Sequence, residues 1–133
     1  MVDDQARPSN FEAILEEQGG VWVVSAQGEL DLESAPRLKE LLGKAIAQCG
    51  TAGGVVADLS RVEFMESVSL GMLIEQRNEL RDSGKELALV IQGGAGDSEE
   101  HPVGRLLGLT GQAGEFSVYD SRVVAVEDLA SKS

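Results

Sequence analysis

The spacing of hydrophobic residues changes period several times along the chain, and each change marks a new predicted element. Residues 11–18 alternate apolar and polar side chains, which is typical of a β-strand with one buried face. A Gly-Gly pair at 19–20 leads into a second, less regular strand-like run through residues 21–30. This pattern predicts two strands joined by a tight turn.

From Ser34 onwards, apolar residues recur at spacings of three and four, as they do in an amphipathic helix. Ser34 is suited to cap the start of this helix, Pro36 fits its first turn, and Gly50 is suited to end it. The predicted buried positions of this first helix are Leu38, Leu41, Leu42, Ala45, Ile46 and Cys49.

The remainder of the chain alternates apolar runs with helical patterns. Residues 55–59 and 86–91 are short apolar runs typical of strands buried on both faces. A helix starting near Ser67 and stopping at Ser83 separates them. After an acidic, flexible loop at 93–100, the pattern predicts a short helix at 103–111, a strand at 116–121 and a closing helix at 122–130. Strands alternating with helices predict an α/β fold with a parallel or mixed sheet.

Size and charge limit the classes of partner. A chain of 133 residues forms one domain with one core. With 23 acidic against 11 basic residues, its formal net charge is -12, which opposes attraction to nucleic acid and to anionic lipid. We therefore expect neither nucleic acid nor a membrane as partner, and a basic protein surface fits better.

The sequence supplies little material for targeting, catalysis or metal binding. The acidic N-terminus lacks a long apolar core and no later stretch approaches about 20 apolar residues, so a cytoplasmic protein is expected. Cys49 is the only cysteine and His101 the only histidine. We expect Cys49 to be buried and His101 to be a solvated residue at a helix entry. We further expect no catalytic residue, no metal site and no cofactor.

The junction between the strand at 55–59 and the following helix is rich in hydroxyl groups, because it contains Ser67 and Ser69. A helix start has unpaired N–H groups and a partial positive charge. A hydroxyl there can cap the helix, and a phosphorylated serine there is stabilised by the same charge. The pattern alone favours Ser67 as the helix N-cap.

Five segments together carry a family resemblance. GELDLESAPRLKELL, VVADLSRVEFMESVSLGML, ELALVI, VGRLLGLTG and FSVYDS occur in the order and spacing of the STAS family, which includes anti-sigma-factor antagonists and domains of sulphate transporters. The resemblance covers residues 11–130 and leaves 1–10 as a flexible N-terminal segment. It implies a single STAS-like α/β domain, with a mixed sheet of about four to five strands and about four helices packed mainly on one side.

The resemblance also implies a phosphorylation site. The usual family pattern after the central strand is Asp-Ser-Ser/Thr-Gly-Leu-Gly, and the matching residues here are 66–71, ESVSLG. By position, Ser67 is the expected phosphoacceptor for an anti-sigma factor that is also a serine kinase, and Ser69 is a weaker candidate. A phosphatase is a further expected partner. Glu66 replaces the usual aspartate, Val68 the second hydroxyl and Ser69 a glycine, so the departures fall on the docking surface.

The expected partner surface combines neutral, apolar and acidic contacts around the phosphoacceptor. Phosphorylation adds a charge of about -1.5 to -2, which the acidic neighbours repel and the partner must desolvate. The alternative function is a STAS scaffold that is not phosphorylated, or a STAS domain that binds a ligand or a transporter component. The expected partner-binding residues are Asp31, Glu66, Ser67, Val68, Ser69 and Met72.

Overall fold

The computed structural model describes residues 10–91 and 101–132. The acidic loop at 93–100 and the N-terminal segment before Asn10 lie outside the described residues. Strands and helices alternate after an initial hairpin. In chain order they are β1 (Phe11–Gln18), β2 (Val21–Leu30), α1 (Ala35–Gln48), β3 (Gly54–Met65), α2 (Ser67–Asp82), β4 (Glu86–Val90), α3 (Pro102–Leu109), β5 (Ser117–Tyr119) and α4 (Arg122–Ser131), with a short 3-10 turn at Ala113–Glu115.

The five strands form one mixed sheet in the order β1-β2-β3-β4-β5. The first pair is antiparallel and the other three pairs are parallel. The hairpin turns at Gly19 and Gly20, whose φ angles are 59° and 85°. A two-residue turn of this kind needs positive φ at both central positions, which glycine adopts without steric cost. The predicted hairpin and the predicted mixed sheet are both confirmed.

The helices cover the two faces of the sheet unequally. Buried residues of α1, α2 and α3 form one large core with the sheet, while α4 packs on the opposite face in a smaller core. The prediction of one core is therefore wrong, because the sheet separates the two sets of buried residues. Neighbouring residues of β3 divide between these cores, since Val55 and Ala57 belong to the larger one and Val56 to the smaller. The prediction of about four helices mainly on one side is therefore confirmed.

Strand β3 is longer than the apolar run at 55–59 that predicted it. It continues to Met65 because residues 62–65 pair in parallel with the end of β2, which places Leu30 beside Met65. Two register shifts interrupt this pairing, so the regular alternation expected of a strand is lost in this part of the sequence. As a result, the turn after β2 lies beside the start of α2.

Two single-residue expectations have different outcomes. Cys49 is buried in the core, as predicted. His101 does precede α3 as its N-cap, but it is buried rather than solvated. Its Nδ1 accepts from the backbone N–H of Val103 at 3.2 Å, so its Nε2 donates to the carbonyl of Ser60 at 3.1 Å. The ring thus joins α3 to β3 across 41 residues of sequence.

Candidate functional site

The start of α2 differs by one residue from the predicted arrangement. Glu66 is the N-cap, with extended backbone angles of -86° and 153°, and Ser67 is the first helical residue. The prediction that Ser67 caps the helix is therefore wrong, because the helical conformation begins one residue earlier. Ser67 is exposed, as is Val68, whose side chain retains 48% of its accessible surface. A serine in this position is accessible to another protein.

Ser69 lies on the opposite side of the same helical turn and is 0% exposed. Its Oγ donates a hydrogen bond to the carbonyl of Leu30 at 3.1 Å. A kinase cannot reach this hydroxyl in the folded domain, and the side chain is not available to a docking protein. The placement corrects the prediction of Ser69 as a partner contact and as the alternative phosphoacceptor.

Met72 also faces the interior. It is 8% exposed and belongs to the large core, so the predicted partner contact at this position does not lie on the surface. The polar residue Gln76 is buried as well. Ser69, Met72 and Gln76 follow the three- and four-residue spacing of a single helix face. The buried face of α2 therefore includes polar positions that an apolar pattern does not reveal.

The turn between β2 and α1 is held by Asp31 and Ser34. Asp31 Oδ1 accepts hydrogen bonds from the backbone N–H groups of Glu33 and Ser34, each at 3.0 Å. The Ser34 Oγ accepts from the Asp31 N–H at 2.9 Å and donates to the Glu29 carbonyl at 2.7 Å. These bonds, above all the one from the Ser34 N–H, lower the pKa of the Asp31 carboxyl below its ordinary value. Asp31 is therefore primarily a turn-forming residue.

This lowered pKa predicts an acid-sensitive turn. A carboxyl with a lowered pKa in the folded state stabilises the domain above its unfolded pKa, and this stabilisation is lost as the pH falls through the folded pKa. We expect the free energy of unfolding of the wild type to fall more steeply below about pH 4 than that of Asp31→Asn. Urea denaturation at a series of pH values from neutral to acidic measures this pH dependence of the free energy of unfolding, with Glu33→Gln as the control. Equal slopes for the wild type and Asp31→Asn would contradict the prediction.

Hydrogen bonds join this turn to the start of α2. Glu66 Oε1 accepts from the backbone N–H of Leu32 at 2.8 Å, and the Glu66 N–H donates to the Leu30 carbonyl at 2.9 Å. The same carbonyl accepts from Ser69 Oγ. Two of the departures from the usual family pattern, at positions 66 and 69, thus both make contacts that fasten the two segments together.

The joined segments expose an unusual amount of apolar surface. Leu32 retains 68% of its accessible surface, and Phe64 and Val68 are also exposed. We call the exposed set Leu32, Phe64, Glu66, Ser67 and Val68 the junction face. Leu32 and Phe64 were not predicted as surface residues of this site. The available signal was an apolar residue within the polar turn LDLES and another in the irregular end of β3.

The described residues meet the requirements of neither a metal centre nor a membrane-spanning helix. In residues 10–91 and 101–132, no group of three His, Cys, Asp or Glu side chains is arranged to hold a metal ion. Over the same residues, no helix has the length and apolar character needed to cross a bilayer. What the face presents is an exposed hydroxyl, apolar side chains and one carboxylate.

The fold is a small α/β domain with an exposed junction face where β3 meets α2. The family model described as the STAS domain matches residues 12–96. This match covers more than half of the chain, and the chain belongs to the STAS domain family. The resemblance seen in the sequence is thereby confirmed.

Individual relatives bear related names. The anti-sigma-F factor antagonist RsfB of Mycobacterium tuberculosis is 37% identical over 78 residues, which are 59% of this chain and 62% of that protein, so the match spans less than two thirds of its length. The anti-sigma F factor antagonist of Paenibacillus polymyxa is 28% identical over 120 residues, 90% of this chain and 96% of that protein. The crystal structure of an anti-sigma factor antagonist from Mycobacterium paratuberculosis superposes with a TM-score of 0.75 at 30% identity, covering 92% of this chain and 96% of that one.

Proposed function

We propose that this chain is an anti-sigma factor antagonist, acting in the cytoplasm as a protein-interaction switch in transcription regulation. Its junction face binds an anti-sigma factor that is also a serine kinase, and phosphorylation of Ser67 ends the binding. A phosphatase returns the chain to its binding form. The observation that carries the proposal is the exposed Ser67 at the first residue of α2. It lies between the exposed Val68 and Glu66, whose carboxylate accepts from the N–H of the exposed Leu32.

The relatives support the proposal because the similarity includes this surface. The STAS match at 12–96 contains both the β2–α1 turn and the start of α2. The Paenibacillus and Mycobacterium paratuberculosis proteins match nearly the full chain, and each is named as an anti-sigma factor antagonist.

Charge supplies the mechanism of release. The unmodified face places a neutral hydroxyl among apolar side chains, which a partner can desolvate at low cost. Phosphate on Ser67 brings a charge of about -1.5 to -2 beside Glu66, near other exposed carboxylates. The N-terminus of α2 stabilises that charge within the domain, whereas the partner must remove its hydration. Phosphorylation therefore lowers affinity much more than it alters the stability of the fold. The other exposed carboxylates in these segments are Glu29, Glu33 and Glu63.

The phosphoacceptor is tested by substitution. A purified anti-sigma factor with serine kinase activity is incubated with Mg-ATP and this chain. The intact mass of the chain is then measured. We expect Ser67→Ala to abolish the phosphate-sized mass increase, since no other hydroxyl of the junction face is exposed. The matched control is Ser69→Ala, which removes a buried hydroxyl and costs about 1 kcal/mol of stability while leaving phosphate incorporation intact.

The binding switch is tested with the same purified proteins. Ser67→Asp adds part of the negative charge of a phosphate, so its affinity for the anti-sigma factor is expected to fall relative to the wild type. Phosphate incorporation that persists in Ser67→Ala would place the acceptor elsewhere. An unmodified chain that binds the same partners equally well as wild type and as Ser67→Asp would favour the scaffold function instead.

A further inference from the structure

The hydrogen bond from the Leu32 N–H to the Glu66 carboxylate controls the most exposed apolar residue of the junction face. It spans 2.8 Å and links residues 34 apart in sequence. Leu32 lies at the tip of the β2–α1 turn, and its side chain points into solvent with 68% of its surface accessible. Nothing buries that side chain. The Asp31 carboxylate closes the turn around Leu32 through the N–H groups of Glu33 and Ser34, and the bond to Glu66 ties Leu32 itself to the start of α2.

The length of the glutamate side chain makes this bond possible. Glu66 is the N-cap of α2, yet its side chain makes no capping bond to its own helix and reaches across to Leu32 instead. An aspartate would withdraw the carboxylate by about one C–C bond, roughly 1.5 Å, which takes the oxygen beyond hydrogen-bond distance of the Leu32 N–H. The extra methylene of the glutamate at this position therefore has a specific structural consequence.

The two segments stay attached when this bond is absent. The backbone N–H of Glu66 and the Oγ of Ser69 both donate to the carbonyl of Leu30, and neither contact uses the Glu66 carboxylate. Asp31 and Ser34 hold the rest of the turn through their own bonds. Loss of the carboxylate contact thus releases only the Leu32 N–H from α2, and the turn and α2 keep their other hydrogen bonds.

We propose that Glu66 is a positioning residue that couples the modification state of Ser67 to the position of Leu32. In the unmodified chain, its carboxylate ties the exposed Leu32 to the start of α2, the helix that carries the exposed Val68, so that both are presented to the partner. Phosphate on Ser67 repels the adjacent carboxylate and competes with it for N–H donors at the junction. The Glu66 carboxylate then no longer accepts from the Leu32 N–H, and Leu32 is no longer tied to the start of α2. This regulation rests on the proposed function, and it adds a structural change to the direct electrostatic effect.

The test uses the isolated full-length chain and measures solvent exchange of the Leu32 amide by NMR. Glu66→Ala and Glu66→Asp are expected to accelerate this exchange about tenfold, the effect of losing one hydrogen bond. Glu66→Gln is expected to match the wild type, because its amide oxygen can still accept from the Leu32 N–H. The Ser34 amide, bonded to Asp31, serves as an internal reference that none of these substitutions changes.

Genetically encoded phosphoserine in place of Ser67 tests the coupling itself. It is expected to accelerate Leu32 amide exchange to the level of Glu66→Ala. The matched control places phosphoserine at Ser83, an exposed serine at the other end of α2, where Leu32 exchange should equal that of the wild type. Unchanged Leu32 exchange in Glu66→Ala, or with phosphoserine at 67, would overturn the proposal. So would equal acceleration by phosphoserine at 83.

Measurements of partner affinity distinguish the effect of side-chain length at position 66 from the effect of its charge. Affinity for the purified anti-sigma factor is expected to be retained in Glu66→Gln and lowered in Glu66→Asp, whereas a purely electrostatic role for Glu66 gives the reverse order. The exchange experiments need no partner, so their failure overturns the coupling and leaves the proposed function standing. Failure of Ser67 phosphorylation or of anti-sigma factor binding overturns the proposed function, while the exchange results stay valid for the chain itself.

Discussion

Leu32→Asp is expected to lower the affinity of the chain for the proposed anti-sigma factor partner about 100-fold, which corresponds to roughly 2.7 kcal/mol. The apolar side chain of Leu32 is the most exposed of the junction face. An aspartate there removes an apolar contact and adds a carboxylate that the partner must desolvate. Isothermal titration calorimetry with the purified anti-sigma factor measures the change.

The matched control for this substitution is Leu109→Asp. Leu109 ends α3 and is 79% exposed, so it provides an equally exposed leucine that lies outside the junction face. Both variants are expected to keep the thermal stability of the wild type, because neither side chain is buried. Equal loss of affinity in the two variants would show that added negative charge, rather than the junction face, governs binding.

Gly28→Ala is expected to destabilise the domain by about 3 kcal/mol or more. Gly28 has a φ angle of 98°, and a Cβ atom on it would lie 1.8 Å from the carbonyl oxygen of Asn10. That oxygen accepts the Glu29 N–H at 2.8 Å, so it cannot move away without breaking the start of the β1–β2 pairing. Urea denaturation monitored by circular dichroism measures the free energy of unfolding.

Gly43→Ala is the control for backbone effects of the same substitution. Gly43 lies within α1, and a Cβ atom on it would meet nothing within 4 Å. Alanine is the stronger helix former, so this variant is expected to gain about 1 kcal/mol. A Gly28→Ala variant as stable as the wild type would mean that the crowding at Asn10 is relieved by a local shift of β1.

The site residues show how far local sequence reasoning reaches. The position of Ser67 at a helix start could be predicted, because a change from strand to helix periodicity and a run of hydroxyls mark it. The exposure of Leu32 could not, since an apolar residue in a turn is compatible with burial or exposure. The predictions that Ser69 and Met72 contact a partner were wrong for a related reason. Which helix face is buried depends on the sheet beneath it, and polarity alone assigned Ser69 to the surface.

By itself, the sequence determined the hairpin, the order of strands and helices, the STAS-type architecture and the acidic character that disfavours nucleic acid. The hairpin, the element order and the acidic character follow from residue spacing, turn chemistry and net charge, whereas the STAS-type architecture was implied by the resemblance of five segments to that family. The tertiary structure alone decided that β3 extends along β2 to Met65, that Ser69 is buried on Leu30, and that Glu66 bonds to Leu32. Each of these depends on strand register and helix packing between segments far apart in sequence, and no local pattern encodes that geometry.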